Sequence, residues 1–562
     1  MHVLAYVPSG ADGIIIRVEA DIRRGIPGVD ITGLAEGAVR EARERVRASF
    51  RNSGFNFPMD RVLINLAPAG MRKDGAALDL PIAISVMAAA GIIPVPDRLM
   101  VLGELELSGL VRPVRGVLAA IAAGIKEGIK EYIVPLENSR EAAVLAGLPA
   151  VPGNRDNVKG PAIRFYAAAT LTEAVHALLS RAETGELPVS PFTGIPDSTP
   201  GRSEEPACGP GKPVCRFGPG DFSEIRGQGR YKRALEIAAA GGHNLFVFGP
   251  PGSGKTMLAR RFPSILPPLE PEEAVEVTRL HSLAGQIENG LITQPPFRCP
   301  HHSASTEGIL GGGRNIRPGE ITLAHLGTLF LDEAPEFRAP VLQSLREPLE
   351  DRVITIVRAE GPLALPADFQ LIMAANSCRC GRLGAPFPDS VHTGTENSVL
   401  PLNVTEPAES GCFCTPDEVR RYWRKLGGSL LDRIELRVPV SAPGVLIPGG
   451  EGEEDSAAIR QRVLAAAAIQ KDRFKGSPVR RNARMSPGQI ERFCPVTNRA
   501  GEAFTIAAAR LGLSGRACHG ILKIARTIAD LEGKDVIDTD HILEAVQHRR
   551  YGDDPYDILA KL

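Results

Sequence analysis

The chain has 562 residues, 43% of them hydrophobic and 23% charged, and its formal net charge is −1. This length predicts about three or four globular domains of ordinary composition. The near-neutral balance excludes a uniformly basic protein, so contact with nucleic acid must come from local basic patches.

The sequence also indicates a compartment. An uninterrupted apolar run of about 18 residues, which a membrane helix needs, is missing from the chain. The first residues, Met1 to Leu4, lack the basic and apolar regions of a signal peptide. The nine cysteines are odd in number and all follow residue 207, which is typical of a reducing environment. We therefore expect a cytoplasmic protein without a membrane partner.

The first block, residues 1–175, alternates strand-like runs such as Val62–Leu66 with helix-like runs such as Leu80–Ala90. This alternation predicts an α+β or α/β domain. Residues 176–218 are rich in proline and glycine and are predicted to be a linker.

A second block, residues 219–440, carries a nucleotide motif, and residues 378–414 form a cysteine-containing insertion in it. A third block, residues 456–551, has helical spacing throughout. The overall prediction is an α/β parallel-sheet core followed by a helical domain and preceded by the separate first domain.

A phosphate loop is the clearest motif. It follows the apolar run Leu245–Phe248 and precedes the helix-like run Met257–Phe262. Its residues are Gly249, Pro250, Pro251, Gly252, Ser253, Gly254, Lys255 and Thr256. Glycines allow backbone N–H groups to surround phosphates, lysine reaches the β- and γ-phosphates, and threonine binds Mg²⁺. The chain is therefore predicted to bind a nucleoside triphosphate with Mg²⁺ and to hydrolyse it.

Two later strands are predicted to complete this site. The apolar run Thr328–Leu331 ends in Asp332 and Glu333, which we assign to the Mg²⁺ shell and to polarising the attacking water. Another apolar run, Leu371–Ala375, ends in Asn376, which is predicted to orient that water. Ligands of parallel sheets bind at such strand ends.

Four cysteines follow the last of these strands, as Cys378 and Cys380, then Cys412 and Cys414. Four thiolates satisfy tetrahedral Zn²⁺, although C-x-C spacing is less diagnostic than C-x-x-C. A structural Zn²⁺ site and a set of reduced or redox-sensitive thiols both remain open. Cys208 and Cys215 in the linker offer a second, weaker pair.

Two clusters of basic residues offer contacts to DNA. One cluster comprises Lys471, Arg473, Lys475, Arg480, Arg481 and Arg484. The other comprises Arg420, Arg421, Arg424 and Lys425, with Tyr422 and Trp423 between them. Basic side chains with aromatic neighbours suit phosphate contact and base stacking. The alternative is a solvated helix face with ordinary charge pairing.

The order of these motifs resembles that of AAA+ ATPases. The insert Phe297–Ser303 with Gly311–Gly313, and the segment Ile225–Gln228 with Lys232–Asn244, are similar to the magnesium-chelatase-like branch. Nearly all of residues 1–551 resembles the YifB/ComM family, which joins a Lon-protease-like domain, a chelatase-type AAA+ core and a helical domain. The resemblance places Gln228 in the nucleotide pocket.

The same resemblance implies a site shared between subunits. The segment Leu430–Leu436 is similar to the one that supplies an arginine finger, which assigns Arg433 to the γ-phosphate of a neighbour. Arg516 matches the sensor-2 position, which implies phosphate contact from a lid. These roles imply a homo-oligomeric ring, expected to be a hexamer.

The first domain resembles Lon protease without its nucleophile. The loop Arg72–Ala77 has Ala77 where the catalytic serine belongs. The run Val117–Ala120, after a second Lon-like segment, has no lysine. A Ser–Lys dyad needs both groups, so proteolysis is not expected and a binding or assembly role is.

The family resemblance implies an ATP-driven DNA motor of the ComM type, which promotes branch migration during natural transformation and recombination. A predicted hairpin, Val353 to Asp368, places Arg352 and Arg358 where related helicases face a pore. The alternatives are a chelatase-like or chaperone-type ATPase that remodels a protein or metal-cofactor substrate, and a regulatory interaction protein.

Overall fold

The computed structural model describes most of the chain. The described residues are 2–10, 12–33, 37–69, 76–146, 163–188, 220–287, 290–313, 317–358, 361–381, 383, 412, 414–440 and 453–549. Among them, the helices lack the length and apolar character that spanning a bilayer requires. The loop residues Arg72–Gly75, the pair Cys208 and Cys215, and most of the predicted linker lie outside these ranges.

The first domain is built on a seven-stranded mixed sheet of order β3-β4-β2-β1-β5-β8-β9. Its strands are β1 (His2–Ser9), β2 (Asp12–Arg23), β3 (Gly28–Thr32), β4 (Arg61–Ala67), β5 (Leu99–Val101), the hairpin β6 (Glu104–Leu105) and β7 (Val111–Arg112), β8 (Glu131–Pro135) and β9 (Arg164–Ala168). Its helices are α1 (Gly37–Asn52), α2 (Asp79–Ala89), α3 (Val117–Lys126), α4 (Ser139–Leu145) and α5 (Leu171–Thr184).

Burial explains two of these helices. Helix α2 is buried along nearly its whole length, as expected for a helix that is apolar on every side. Helix α5 runs to Thr184, well past residue 176, where composition predicted a linker. Leu171, Val175 and Leu178 recur at helical spacing and are buried in the first domain, which extends the helix beyond the composition change.

The phosphate-loop domain, as we call residues 220–440, contains a five-stranded parallel sheet of order β11-β14-β17-β10-β18. Its strands are β10 (Leu245–Gly249), β11 (Phe297–Arg298), β14 (Thr328–Leu331), β17 (Gln370–Asn376) and β18 (Leu436–Pro439), with hairpins β12 (Gly311–Gly312) and β13 (Arg317–Pro318), and β15 (Val353–Arg358) and β16 (Gly361–Pro366). Its helices are α6 (Gly229–Gly241), α7 (Lys255–Arg261), α8 (Pro271–Ala284), α9 (Thr306–Leu310), α10 (Glu320–Leu323), α11 (Ala339–Ser344), α12 (Arg346–Asp351), α13 (Pro416–Arg424) and α14 (Gly428–Leu431).

The helical domain follows as α15 (Ser456–Arg473), α16 (Pro487–Phe493), α17 (Asn498–Leu511), α18 (Gly515–Leu531) and α19 (Thr539–Arg549). Four of these helices begin with a side chain that accepts a hydrogen bond from the first turn, which satisfies a backbone N–H. The capping residues are Asp455, Ser486, Thr497 and Ser514. Buried residues of α18 join those of β10 and β17 in one core, so this domain covers one face of the parallel sheet.

The first domain docks on the end of α8. Ser282 donates a hydrogen bond to the buried carboxylate of Glu141, and the backbone carbonyl of Ser282 accepts one from Gly116 N at 3.2 Å. Leu283 is buried in the core of the first domain. Glu141 also accepts from Leu118 N at 2.8 Å and Asn138 Nδ2 at 3.0 Å. Burial raises the pKa of Glu141, although these donors oppose the rise.

We predict that Ser282→Ala loosens this contact. Removing one donor from a buried carboxylate costs about 1–3 kcal/mol, so amides of α3 should exchange hydrogen about tenfold faster or more. Ser344→Ala is the matched control, because its hydroxyl donates to Val341 O within a single domain. Hydrogen exchange followed by mass spectrometry measures the effect, and unchanged exchange in α3 would contradict it.

Candidate nucleotide site

The carboxyl edge of the parallel sheet brings the predicted nucleotide motifs together. Gly249 of the phosphate loop lies opposite Asn376 in the β10–β17 pair. On the other side of β17, Leu331 pairs with Met373, and Asp332 and Glu333 follow it directly. Because parallel strands end at one edge, three predicted functional segments converge where ligands bind in open α/β sheets.

The phosphate loop has the conformation its glycines predict. Gly252 and Gly254 have φ of 76° and 82°, which residues with a Cβ rarely adopt. The Lys255 ammonium lies inside the loop and donates to Gly249 O at 2.9 Å and Pro250 O at 2.7 Å. Burial lowers the pKa of Lys255 to about 8, while Asp332 and Glu333 act in the opposite direction.

Thr256 and Asp332 form a pair suited to Mg²⁺. Thr256 Oγ1 donates to Asp332 Oδ1 at 3.2 Å. Adjacent oxygen ligands of an octahedral Mg²⁺ ion, each about 2.1 Å from the metal, lie about 3.0 Å apart. The two oxygens therefore fit neighbouring positions in one coordination shell.

Glu333 occupies a left-handed backbone conformation with φ of 50°, and strained residues of this kind concentrate at functional sites. Its N–H donates to Asp332 Oδ1 at 3.0 Å. His302 Nδ1 lies 3.8 Å from Glu333 Oε2, a neighbour that the sequence did not indicate. The ring of His302 lies near that of His301, with ring centroids 4.1 Å apart.

Gln228 contacts the phosphate loop from the segment before α6. Its Nε2 donates to Ser253 O at 3.1 Å, from a left-handed backbone with φ of 59°. Tyr231 was not singled out by the sequence, but its hydroxyl donates to Lys255 O at 3.2 Å. In the sequence, a tyrosine that only packs in the core cannot be distinguished from one that also hydrogen-bonds to the phosphate loop.

Arg433 and Arg516 lie together at the other edge of the sheet. Arg433 Nη2 is 2.5 Å from Glu350 Oε2, and Arg516 pairs with the other oxygen of the same carboxylate. These arginines hold the pKa of Glu350 below its usual range. Glu350 itself is a residue that sequence analysis missed.

The strand register separates these arginines from the phosphate loop of their own chain. Arg433 precedes β18, whose first residue Leu436 pairs with Leu245 at the amino end of β10. The phosphate loop starts at the other end of β10, about 13 Å along the strand. Arg516 therefore lies away from the phosphate loop of its own chain in this arrangement, whereas the resemblance implied phosphate contact from a lid. The contact of Arg433 with a neighbour's γ-phosphate stays a prediction.

The four cysteines of the insertion form a compact cluster. Their sulfur atoms all lie within 4.8 Å of one another. Cys378 Sγ is 3.2 Å from Cys380 Sγ and 3.7 Å from Cys412 Sγ. Sulfur ligands about 2.3 Å from a tetrahedral Zn²⁺ ion are separated by about 3.8 Å. The cluster thus has the donor set and nearly the spacing of a Cys₄ zinc site.

The first basic cluster is largely engaged within the chain, which favours ordinary charge pairing over DNA contact. Its ion pairs join Lys471 to Glu270, Arg473 to Asp530, Arg480 to Glu273 and Arg484 to Asp368. Arg481 donates to carbonyl groups near the end of α6.

In the second basic cluster, the prediction that the two aromatic residues stack on bases is wrong. Tyr422 and Trp423 are buried, and Trp423 packs edge-on against Phe246 and Phe248 of β10, so they are not placed to stack on bases. Residues 420, 421, 424 and 425 are exposed on the opposite side of α13. The β15–β16 hairpin forms as predicted, but the side chain of Arg358 lies outside the described part of the structure.

The described residues at the positions that match the Ser–Lys dyad of Lon protease are apolar. Ala77 lies in a short 3₁₀ turn before α2. Val117, Leu118, Ala119 and Ala120 are all buried at the start of α3.

Sequence families described as magnesium chelatase subunit ChlI match residues 221–407 and 399–445, residues 18–138 and, as its C-terminal domain, residues 453–549. The chain is 37% identical to YifB of Escherichia coli over 549 residues, covering 96% of this chain and 95% of that protein. It is also 37% identical to the competence protein ComM of Haemophilus influenzae over 548 residues, with the same coverage. The chain belongs to the YifB/ComM family.

The first domain has a further similarity. Lon protease of Desulfovibrio desulfuricans is 27% identical over 145 residues, which cover 25% of this chain and 16% of that protease. Together with the mixed α/β architecture and the chelatase-type families, this confirms the predicted fold class for this YifB/ComM protein. The similarity covers the fold and does not supply the missing serine and lysine.

We predict that nucleotide affinity falls as the pH rises above about 8. Bound phosphates raise the pKa of Lys255 from its free value of about 8, so binding above that pH takes up a proton and weakens by up to about tenfold per pH unit. Titration calorimetry with MgADP measures both affinity and proton uptake. Lys255→Arg is the control, because guanidinium stays charged; constant wild-type affinity between about pH 7.5 and 9.5 would refute the prediction.

Proposed function

We propose that this YifB/ComM protein is an ATP-hydrolysing motor that works as a ring of identical chains and moves DNA. The observation that carries the proposal is the division of the site between two edges of one sheet. The phosphate loop, Asp332 and Glu333 lie at the carboxyl edge, whereas Arg433 and Arg516 lie at the amino edge. Each chain therefore contributes its phosphate loop and carboxylates to one site and its two arginines to another.

The chemistry assigns a task to each half. Lys255 binds the β- and γ-phosphates, and Thr256 and Asp332 are the residues that would hold Mg²⁺, which neutralises phosphate charge when bound. Glu333 accepts the proton of the attacking water, and Asn376 orients that water. Arg433 and Arg516 of the next chain stabilise charge on the transferred phosphoryl group. A ring satisfies every site, because each chain has one neighbour on either side.

DNA is proposed as the substrate on three grounds. The whole chain is similar to a protein named for competence. The exposed face of α13 carries Arg421 and Arg424, a patch suited to phosphates. The β15–β16 hairpin bears an exposed Val357, an apolar residue that a motor can place against a strand. The similarity to magnesium chelatase keeps a protein or metal-cofactor substrate as the alternative.

The cysteine cluster is proposed to hold a structural Zn²⁺ ion. Its sulfur separations are close to those of a tetrahedral Cys₄ shell. Burial raises the pKa of the Cys378 thiol to about 12, so its thiolate requires a nearby cation. The ion would bind the four thiolates and staple the insertion, and it would take no part in hydrolysis.

A mixing experiment tests the shared site. Lys255→Ala and Arg433→Ala should each abolish hydrolysis alone, because each removes one half of every site. In a ring assembled randomly from equal amounts, about a quarter of the sites combine an intact phosphate loop with an intact neighbouring arginine. The mixture should therefore recover up to about a quarter of wild-type activity. No recovery in rings shown to be mixed would contradict a shared site, as would full hydrolysis by Arg433→Ala alone.

DNA stimulation of hydrolysis tests the cargo. The rate with a four-way junction or single-stranded DNA should exceed the rate without DNA or with unfolded protein. Glu333→Gln should lower every rate by about 10²-fold or more while nucleotide still binds. Arg421→Ala with Arg424→Ala should reduce only the DNA-stimulated part, whereas Arg43→Ala with Arg51→Ala, which removes two charges from the exposed side of α1, should not. Stimulation by unfolded protein alone would favour the alternative substrate.

A further inference from the structure

The cysteine cluster lies directly against the phosphate loop. Cys378 follows Asn376 by two residues, at the end of the strand that pairs with β10. Gly381 turns back with φ of 78°, and a Cβ built on it would lie 3.0 Å from Pro251 Cδ and 3.1 Å from Pro251 Cγ. The backbone of the cluster therefore packs against a residue of the phosphate loop itself.

One peptide bond and one hydrogen bond connect Pro251 to the catalytic lysine. Pro251 is bonded to Pro250, whose carbonyl accepts hydrogen bonds from Lys255 Nζ at 2.7 Å and from Ser253 Oγ at 2.8 Å. A shift of Pro251 moves that carbonyl. It thereby moves the ammonium group that the loop holds in place for the phosphates.

Helix α13 connects the second pair of cysteines to the end of β17 and to β10. Helix α13 begins at Pro416, right after Cys414, and is capped by Thr415. Its Trp423 donates from Nε1 to Ser377 O at 2.9 Å and packs against Phe246 and Phe248, at ring-centroid distances of 5.6 and 5.2 Å. Those phenylalanines belong to the strand that enters the phosphate loop.

We propose that the four-cysteine cluster is a metal-dependent brace of the nucleotide site. Zn²⁺ bound by Cys378, Cys380, Cys412 and Cys414 clamps two segments that are distant in the chain, the end of β17 and the start of α13. Both segments press on β10 and its loop. The brace holds Pro251 in the position that suits bound phosphates, so the affinity for nucleotide depends on the metal. This inference rests on the proposed nucleotide site.

A cross-link of this kind acts mainly by restricting the chain. Cys378 and Cys412 are separated by 34 positions, and closing a loop of that length in the absence of a bond is opposed by chain entropy. The free energy of four metal–thiolate bonds offsets that cost in the folded site. Losing the metal frees residues 377–381 from α13, and the phosphate loop then lacks its support on the side of Pro251.

The experiment measures metal and nucleotide on the full-length protein. The wild type, purified under reducing conditions, should contain one Zn²⁺ per chain by elemental analysis. Cys380→Ser with Cys412→Ser should lose the metal and bind MgADP about tenfold more weakly, within the usual range of coupling between sites. Cys518→Ser removes a thiol outside the cluster and should change neither quantity. Binding of MgADP is read directly, so a failure of ATP hydrolysis would not be mistaken for a failure of the brace.

Two further measurements exclude simple misfolding. Removing zinc from the wild type with a zinc-selective chelator should weaken MgADP binding, and adding Zn²⁺ back should restore it. Pro251→Ala removes the ring atoms that face Gly381, so in that background the cysteine substitutions should have a much smaller effect on MgADP affinity. Wild-type affinity in the zinc-free protein would overturn the brace, as would full additivity with Pro251→Ala. A wild type that contains and takes up no Zn²⁺ would overturn the metal site.

Discussion

The parallel alignment of β10 with β17 and β18 is the constraint on which the rest of the site depends. It sends the phosphate loop, the two carboxylates and Asn376 to one edge, and it leaves the segment before β18 at the other. Asn244, at the entry to β10, makes the second edge rigid. Its side chain donates to Arg433 O at 3.0 Å and accepts from Leu371 N at 2.9 Å. The separation of the two half-sites is therefore built into the sheet.

Glu350 positions the two arginines of the half-site through ion pairs. Its carboxylate holds Arg433 and Arg516 side by side, with both guanidinium groups directed at one negative charge. The Glu350 and Arg516 side chains are 42% and 45% exposed, so the ion pair between these two residues contributes little free energy and can be exchanged for phosphate at low cost. Because the pKa of Glu350 is lowered, the stabilisation from the pairing is complete above the ordinary carboxyl pKa and is lost as the pH falls through the lowered pKa.

Local signals made much of this structure predictable. The phosphate loop combines an apolar strand, glycines and a helix start within about fifteen residues, and each part acts on its immediate neighbours. Glu350 gave no such signal, because its role depends on two arginines brought from elsewhere by the fold. Tyr422 and Trp423 were assigned to base stacking from their basic neighbours. Their burial depends on packing against β10, which periodicity in α13 alone does not separate from an exposed aromatic face. In helix α5, composition suggested a linker from residue 176, but the apolar residues at helical spacing belong to a helix that continues to Thr184.

The start of α3 combines the predicted position of a Lon-type dyad lysine with the contact between the domains. Its first four residues are buried and apolar, in the region where Lon-like proteases carry the dyad lysine. A lysine there would place a charge in the core, at a cost that only a partner could offset. The same helix start uses its Leu118 N–H to bind Glu141, which in turn accepts from Ser282 of α8. A β-turn of the first domain also reaches the β15–β16 hairpin, because Gly10 packs against Leu363. The helix that would serve hydrolysis in a protease thus contributes to the contact between the first domain and α8.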